Sequence, residues 1–189
     1  MPARFLGRWR RDRRGVSAVE FAFIAPILIL CYFGVAELCG AMLAQRKAGH
    51  VASEIGDLVA QCQSVALSDF SSTGFWAVGS AVMYPLDTSP LSMRVTSISA
   101  DSTGKVFTVA WSYDNSGALT KYATGTVLTN AALTGLVPAN GSVIMSETRY
   151  VYTSPVAIVV KTALPFNSVF YLSPRQMTSI PPNSTACIS

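Results

Sequence analysis

The chain has 189 residues, half of them apolar and only 13% charged, with a formal net charge of +4. A soluble domain carries charge on about a quarter of its residues, so this composition fits one membrane segment plus one modest domain. The positive charge is local: Arg4, Arg8, Arg10, Arg11, Arg13 and Arg14 stand against Asp12 within residues 1–15, which leaves the remainder of the chain at −1 and excludes a basic nucleic-acid-binding surface.

Those arginines precede an apolar run. Phe21 to Ala36 is free of charge, and Val16 to Ala44 carries only Glu20 and Glu37. A bilayer core needs about 20 helical residues, so a span from Val19 to Gly40 fits. Arg10, Arg11, Arg13 and Arg14 lie immediately before it and act as a topogenic signal. They keep the N-terminus cytoplasmic and put the bulk of the chain, from about residue 45, across the membrane. Arg46 and Lys47 at the far end weaken that asymmetry without reversing it. The run is too long for a conventional secretory signal, and no small-x-small cleavage site follows it.

Within the span, Pro26 removes one backbone donor and favours a kink. Glu20 is the notable residue, because an intramembrane carboxylate is costly and usually functional. Its plain alternative is an interfacial carboxylate solvated by headgroups. Glu37 reads as a residue of the outer interface. Cys31 and Cys39, two helical turns apart, read as small buried hydrophobes.

The helical period continues past the span. Val51, Ile55, Leu58, Val59 and Cys62 recur at spacings of three and four, which predicts one helix of about 45 residues, near 65 Å long. Its first half lies in lipid and its second half carries a domain. His50, with no metal-ligand partner near it, reads as a surface residue. Ser68-Asp69-Phe70 opens a second helix that Pro85 closes. The period then becomes two. Leu91–Ile98 and Lys105–Tyr113 form an antiparallel hairpin across the turn Asp101-Ser102-Thr103-Gly104. A short helix is predicted near Val127–Leu133, a third strand over Ser142–Thr153 and a fourth over Val156–Val160. Ser173–Ser189 is predicted irregular. The fold class is α+β: a long N-terminal helix packed against a small antiparallel sheet of three to four strands.

Cys62 and Cys187 are the cysteines outside the span. They either form a bridge, which the oxidising compartment favours, or remain two thiols too far apart to meet. No phosphate loop, zinc motif or nucleophile elbow occurs. The carboxylates beyond the span are scattered over predicted surfaces and turns. No catalytic, cofactor-binding or metal site is expected, and no enzymatic activity.

The layout of basic leader, Gly15, Glu20-Phe21 and apolar helix resembles a type IV prepilin processing site. Its G-x-x-x-x-E-F/Y spacing resembles that of the TadE-like pseudopilins of the tight-adherence (Flp/Tad) pilus. Two later segments resemble the family more loosely: Val109-Ala110-Trp111-Ser112, and the run Glu147–Pro155 with the pattern E-x-x-Y-x-Y-x-x-P. The diagnostic part covers residues 15–60.

The resemblance implies a pilin-like fold with a cleaved leader over 1–15, a transmembrane helix over 16–44 and an extracytoplasmic domain over 45–189. A prepilin peptidase would cut between Gly15 and Val16. Glu20 would then be the fifth residue of the mature chain, able to neutralise the new Val16 amine one helical turn away or on a neighbouring subunit. Implied partners are that peptidase, other pseudopilins, the major pilin, the inner-membrane pilus platform and membrane lipid, with no nucleic acid and no cofactor. The implied location is the inner membrane, single-pass, with incorporation into the pilus left open. The alternative is an uncleaved single-pass anchor carrying a scaffold or binding module of a secretion complex. That anchor would need neither Gly15 nor Glu20.

Overall fold

The computed structural model describes residues 15–183 and 185–187; Arg10, Arg11, Arg13 and Arg14 of the topogenic cluster lie outside them. The first element is α1, Val16–Ala60, an unbroken helix of 45 residues that keeps Pro26 in its interior. The chain divides into two compact units, residues 1–40 with 153–162 and residues 41–152 with 163–189.

In the second unit, Ala41, Ala44, Ala48, Val51, Ala52, Ile55 and Val59 are all buried. Their three- and four-residue spacing makes one helical face. The face starts with alanines, whose short side chains bring the helix backbone close to the sheet. The Thr148 hydroxyl donates to the Ala48 carbonyl at 2.8 Å, in the buried interior. A Cβ at Gly56 would come within 3.0 Å of Ser146 Cβ, so this glycine is where the helix crosses a strand.

The predicted second helix is split. A 3-10 turn covers Leu67–Phe70, and α2 runs over Phe75–Met83 with Gly74 at its N-cap. The turn between them requires glycine, because a Cβ on Gly74 would collide with the Asp69 carbonyl oxygen. Lys47, which reads from sequence as a flanking charge, instead caps α2. Its ammonium donates to the carbonyls of Val82 at 2.9 Å and Tyr84 at 2.7 Å, the end of a helix where a cation is favoured.

Five strands form one antiparallel sheet: β1 Leu91–Ala100, β2 Phe107–Asp114, β3 Val127–Leu128, β4 Ser142–Tyr152 and β5 Leu164–Leu172, in the order β3-β2-β1-β4-β5. The fold is therefore the predicted α+β arrangement of long helix and antiparallel sheet. It has one strand more than the upper expectation, and two local assignments change. The helix predicted near Val127–Leu133 is instead the two-residue β3 followed by a 3-10 turn over Ala131–Leu133. Asn130 ends the strand there by accepting the Ala132 N–H with its side chain. Val156–Val160 is not a strand, because the N–H groups of Ile158, Val159 and Val160 are taken by the Glu37 carboxylate. The strand that pairs with β4 comes later, as β5. It carries Pro165 opposite Val151 on an edge strand, where the missing donor is tolerated.

The main core joins α1 to Phe70, Phe75, Trp76, Val95, Trp111, Ile144, Tyr150, Tyr152 and Ile180. Phe70 stacks on Tyr113 with centroids 4.4 Å apart. A second cluster gathers Ile98, Phe107, Leu133, Val137, Val143 and Met145. The C-terminal segment is largely irregular, but it is well tied. Trp111 Nε1 donates to the Ile180 carbonyl at 2.7 Å, Val65 N–H to Pro181 O at 3.2 Å and Asn183 N–H to Val65 O at 2.8 Å. A disulfide joins Cys62 to Cys187.

Candidate anchoring and processing site

The helix begins at the glycine of the G-x-x-x-x-E-F spacing. Gly15 lies just outside α1 and its carbonyl accepts the Val19 N–H at 3.1 Å, so Val16 is the first residue of the first turn. Nothing lies within 4 Å of a Cβ placed on Gly15. The 15–16 peptide is thus sterically open among the described residues. Val16 and Glu20 are four residues apart, hence on one helical face. Glu20 is exposed and, among the described residues, has no hydrogen-bond or ion-pair partner. Phe21 is exposed beside it.

From Val16 to Leu38 the large apolar side chains Val19, Phe23, Ile24, Ile27, Leu28, Ile29, Leu30, Tyr32 and Val35 are exposed, Phe23 to 75%. They surround the helix rather than lining one stripe, the pattern of a helix that is buried in a membrane. This is the one helix among the described residues long and apolar enough to cross a bilayer, by length and composition, which fits a membrane anchor. Cys31 and Cys39 are exposed on its surface, not buried as the sequence suggests, because no other part of the described chain covers them.

Glu37 departs from its sequence reading. It is 3% exposed, and its carboxylate accepts three consecutive backbone N–H groups: Ile158 at 2.7 Å, Val159 at 3.0 Å and Val160 at 2.6 Å. Donors and acceptor are more than 115 residues apart in sequence, so no local motif announces the contact. The available signal is weaker: a carboxylate inside an apolar run, and a separate stretch Pro155–Val160 too apolar for an ordinary loop.

The remaining polar groups are structural. Arg94 and Glu147 pair across β1 and β4 at 2.7 Å, both largely shielded. Arg94 also donates to Thr120 O at 2.6 Å and to the Tyr122 hydroxyl at 3.0 Å, with its guanidinium 4.0 Å from that ring's centroid. Asp69 is buried and accepts the N–H groups of Ala66 at 2.8 Å and Cys187 at 2.9 Å. The chain's single histidine, His50, is exposed, and no group of His, Cys, Asp or Glu among the described residues could hold a metal ion.

Comparison with known proteins adds one finding. The family model described as TadE-like protein matches residues 15–57, a range that begins at the open glycine, includes Glu20 and Glu37, and ends three residues before α1 does. The looser resemblances at Val109–Ser112 and Glu147–Pro155 fall outside the match. No curated protein and no solved structure matches the chain.

Proposed function

We propose that the chain is a minor pilin, or pseudopilin, required for assembly of a Tad/Flp pilus, a reading supported by the match of residues 15–57 to the TadE-like family model. A prepilin peptidase removes Met1–Gly15. The mature chain begins at Val16, with its helix in the inner membrane and residues 45–189 on the extracytoplasmic side. Its partners are the peptidase, other pseudopilins, the major pilin and the inner-membrane platform.

One observation carries the reading: Gly15 immediately precedes an all-round apolar helix, with Glu20 exposed one turn along the face of Val16. Cleavage would create a positive amine at Val16 in low-dielectric surroundings, where an unpaired charge is costly. Glu20 is the anion in reach, within one chain or from a neighbour. Burying that pair between helices favours lateral packing in one register, a role for buried charge that specifies assembly more than it stabilises. The exposed apolar surface around the pair supplies the contact area.

Intact-mass measurement of the membrane-extracted protein, with and without co-expressed prepilin peptidase, tests the proposal. Peptidase-dependent loss of Met1–Gly15 is expected, abolished by Gly15→Leu. Glu20→Ala is expected to leave cleavage intact and abolish pilus assembly. A full-length mass under both conditions refutes the processing step and leaves the uncleaved anchor.

A further inference from the structure

The connection between β4 and β5, residues 153–162, reads Thr-Ser-Pro-Val-Ala-Ile-Val-Val-Lys-Thr. Val156, Ile158 and Val159 are 47%, 40% and 52% exposed. This apolar loop is nonetheless held in a defined shape. Ala157 takes a left-handed conformation at φ 52°, and its N–H donates to Ser154 Oγ at 3.3 Å. The next three N–H groups converge on Glu37. Successive N–H groups after a left-handed residue make an anion-binding concavity, and here the anion is the chain's own carboxylate.

The loop meets the helix within its apolar stretch. A Cβ on Gly34 would lie 3.3 Å from Val159 Cγ2, so Val159 sits over Gly34. Gly34 belongs to the charge-free run Phe21–Ala36 and lies three residues, about 4.5 Å, nearer the middle of the helix than Glu37. Irregular backbone with free N–H groups is excluded from hydrocarbon, and so is an unpaired carboxylate. Joined, each satisfies the other: three donors find an acceptor, and the charge is shielded by the loop. What the joined pair still presents outward is valine and isoleucine, continuous with the exposed apolar surface of α1. Lys161, exposed just after the tip, is long enough to reach the headgroups while its stem stays in apolar surroundings.

We propose that residues 155–160 are a second membrane contact: a loop clasped by Glu37 and seated in the leaflet at the C-terminal end of the span, with Val156, Ile158 and Val159 against acyl chains. The proposal rests on the reading that α1 crosses the bilayer. It adds that the β4–β5 connection is anchored in the same leaflet, so the chain meets the membrane at two separate points of its sequence.

The test uses the full chain in phosphatidylcholine–phosphatidylglycerol vesicles, with Cys31→Ala and Cys39→Ala and the Cys62–Cys187 bridge left oxidised. A polarity-sensitive fluorophore is placed at Val156→Cys or, separately, at Leu30→Cys, and lipids bear nitroxide quenchers near the headgroup or at the chain end. The expected result is quenching of the residue-30 label by the deep nitroxide and of the residue-156 label by the shallow one, with blue-shifted emission at both. Glu37→Ala is expected to abolish quenching at 156 and preserve it at 30; retained quenching at 156 in that variant overturns the clasp. Water-like, unquenched emission at 156 with normal quenching at 30 overturns the loop contact and leaves the anchor standing. Blue-shifted but unquenched emission at 156 that grows with protein-to-lipid ratio overturns it in favour of a second copy. Loss of quenching at 30 refutes the membrane span itself.

Discussion

Opening the Cys62–Cys187 bridge tests how the domain is held closed. The two cysteines are 125 residues apart in sequence, so the bridge closes almost the whole of the domain into one loop. In the chain-entropy model such a loop lowers the entropy of the unfolded state enough to stabilise the fold by about 5 kcal/mol. Native disulfides deliver about 2–5 kcal/mol in practice. A modest domain has only about 5–15 kcal/mol in hand, so the loss is a large share of the total. The folded state itself changes little, because Trp111–Ile180, the Val65 contacts and the Arg175–Asp57 pair hold the same segment without the bridge. The predicted cost therefore lies in the unfolded state.

The assay is urea unfolding of the full chain in detergent, followed by fluorescence of the buried Trp76 and Trp111. Oxidised protein is compared with reduced protein and with Cys187→Ser, whose site is exposed and whose packing loss is small. With a denaturant slope of about 2 kcal/mol/M, a loss of about 4 kcal/mol lowers the midpoint by about 2 M. The slope should also rise on reduction, because an uncrosslinked chain exposes more surface when it unfolds. An unchanged midpoint and slope would show that the unfolded-state argument fails here.

Two further outcomes follow from the sheet. Glu147→Ala leaves the shielded Arg94 guanidinium without its anion and should cost about 3 kcal/mol in the same unfolding assay. Replacing both partners by Met and Leu should cost less than that single change; a double variant worse than the single would refute the desolvation argument. At the β1–β2 turn, Asp101 is held below the usual carboxylate range, first by the Thr103 hydroxyl at 2.7 Å and then by the Lys105 N–H at 3.0 Å. A depressed carboxylate stabilises the fold above its ordinary value and loses that contribution as pH falls through the depressed value. Asp101→Asn should therefore be less stable than the parent at neutral pH, with the gap closing only in acid; a pH-independent gap would sink the assignment.

The long helix and the first hairpin are legible because their periods are long and clean. Val51, Ile55 and Val59 mark one helical face, and Leu91–Ile98 alternates with a period of two, although as the central strand it is buried throughout that stretch. Where the sequence misleads, a non-local contact overrides a local preference. Leu164–Leu172 carries a proline and an asparagine and reads poorly as a strand, yet β4 supplies a full ladder of partners for it. Val156–Val160 has the β-branched composition of a strand, but three of its donors are taken elsewhere. Gly56 reads as a weak point in the helix, and it is the residue that lets α1 approach β4.

The two carboxylates of the apolar segment show most clearly what a sequence can and cannot reveal. Both are expensive in a membrane, so both mark something. Glu20 can be singled out because its significance is local: it stands five residues after a glycine, at the mouth of the span, and its proposed partner is created by cutting the chain a few residues away. Glu37 escapes a sequence reading because its partners lie beyond β1 through β4, in a loop that no periodicity connects to it. Their surroundings differ accordingly. Glu37 is buried and engaged by three backbone donors of its own chain, whereas Glu20, among the described residues, is exposed and unengaged. If a carboxylate of this helix acts between subunits, the geometry leaves that role to Glu20, and Glu37→Gln should weaken the loop's hold on the helix without altering what happens at Val16.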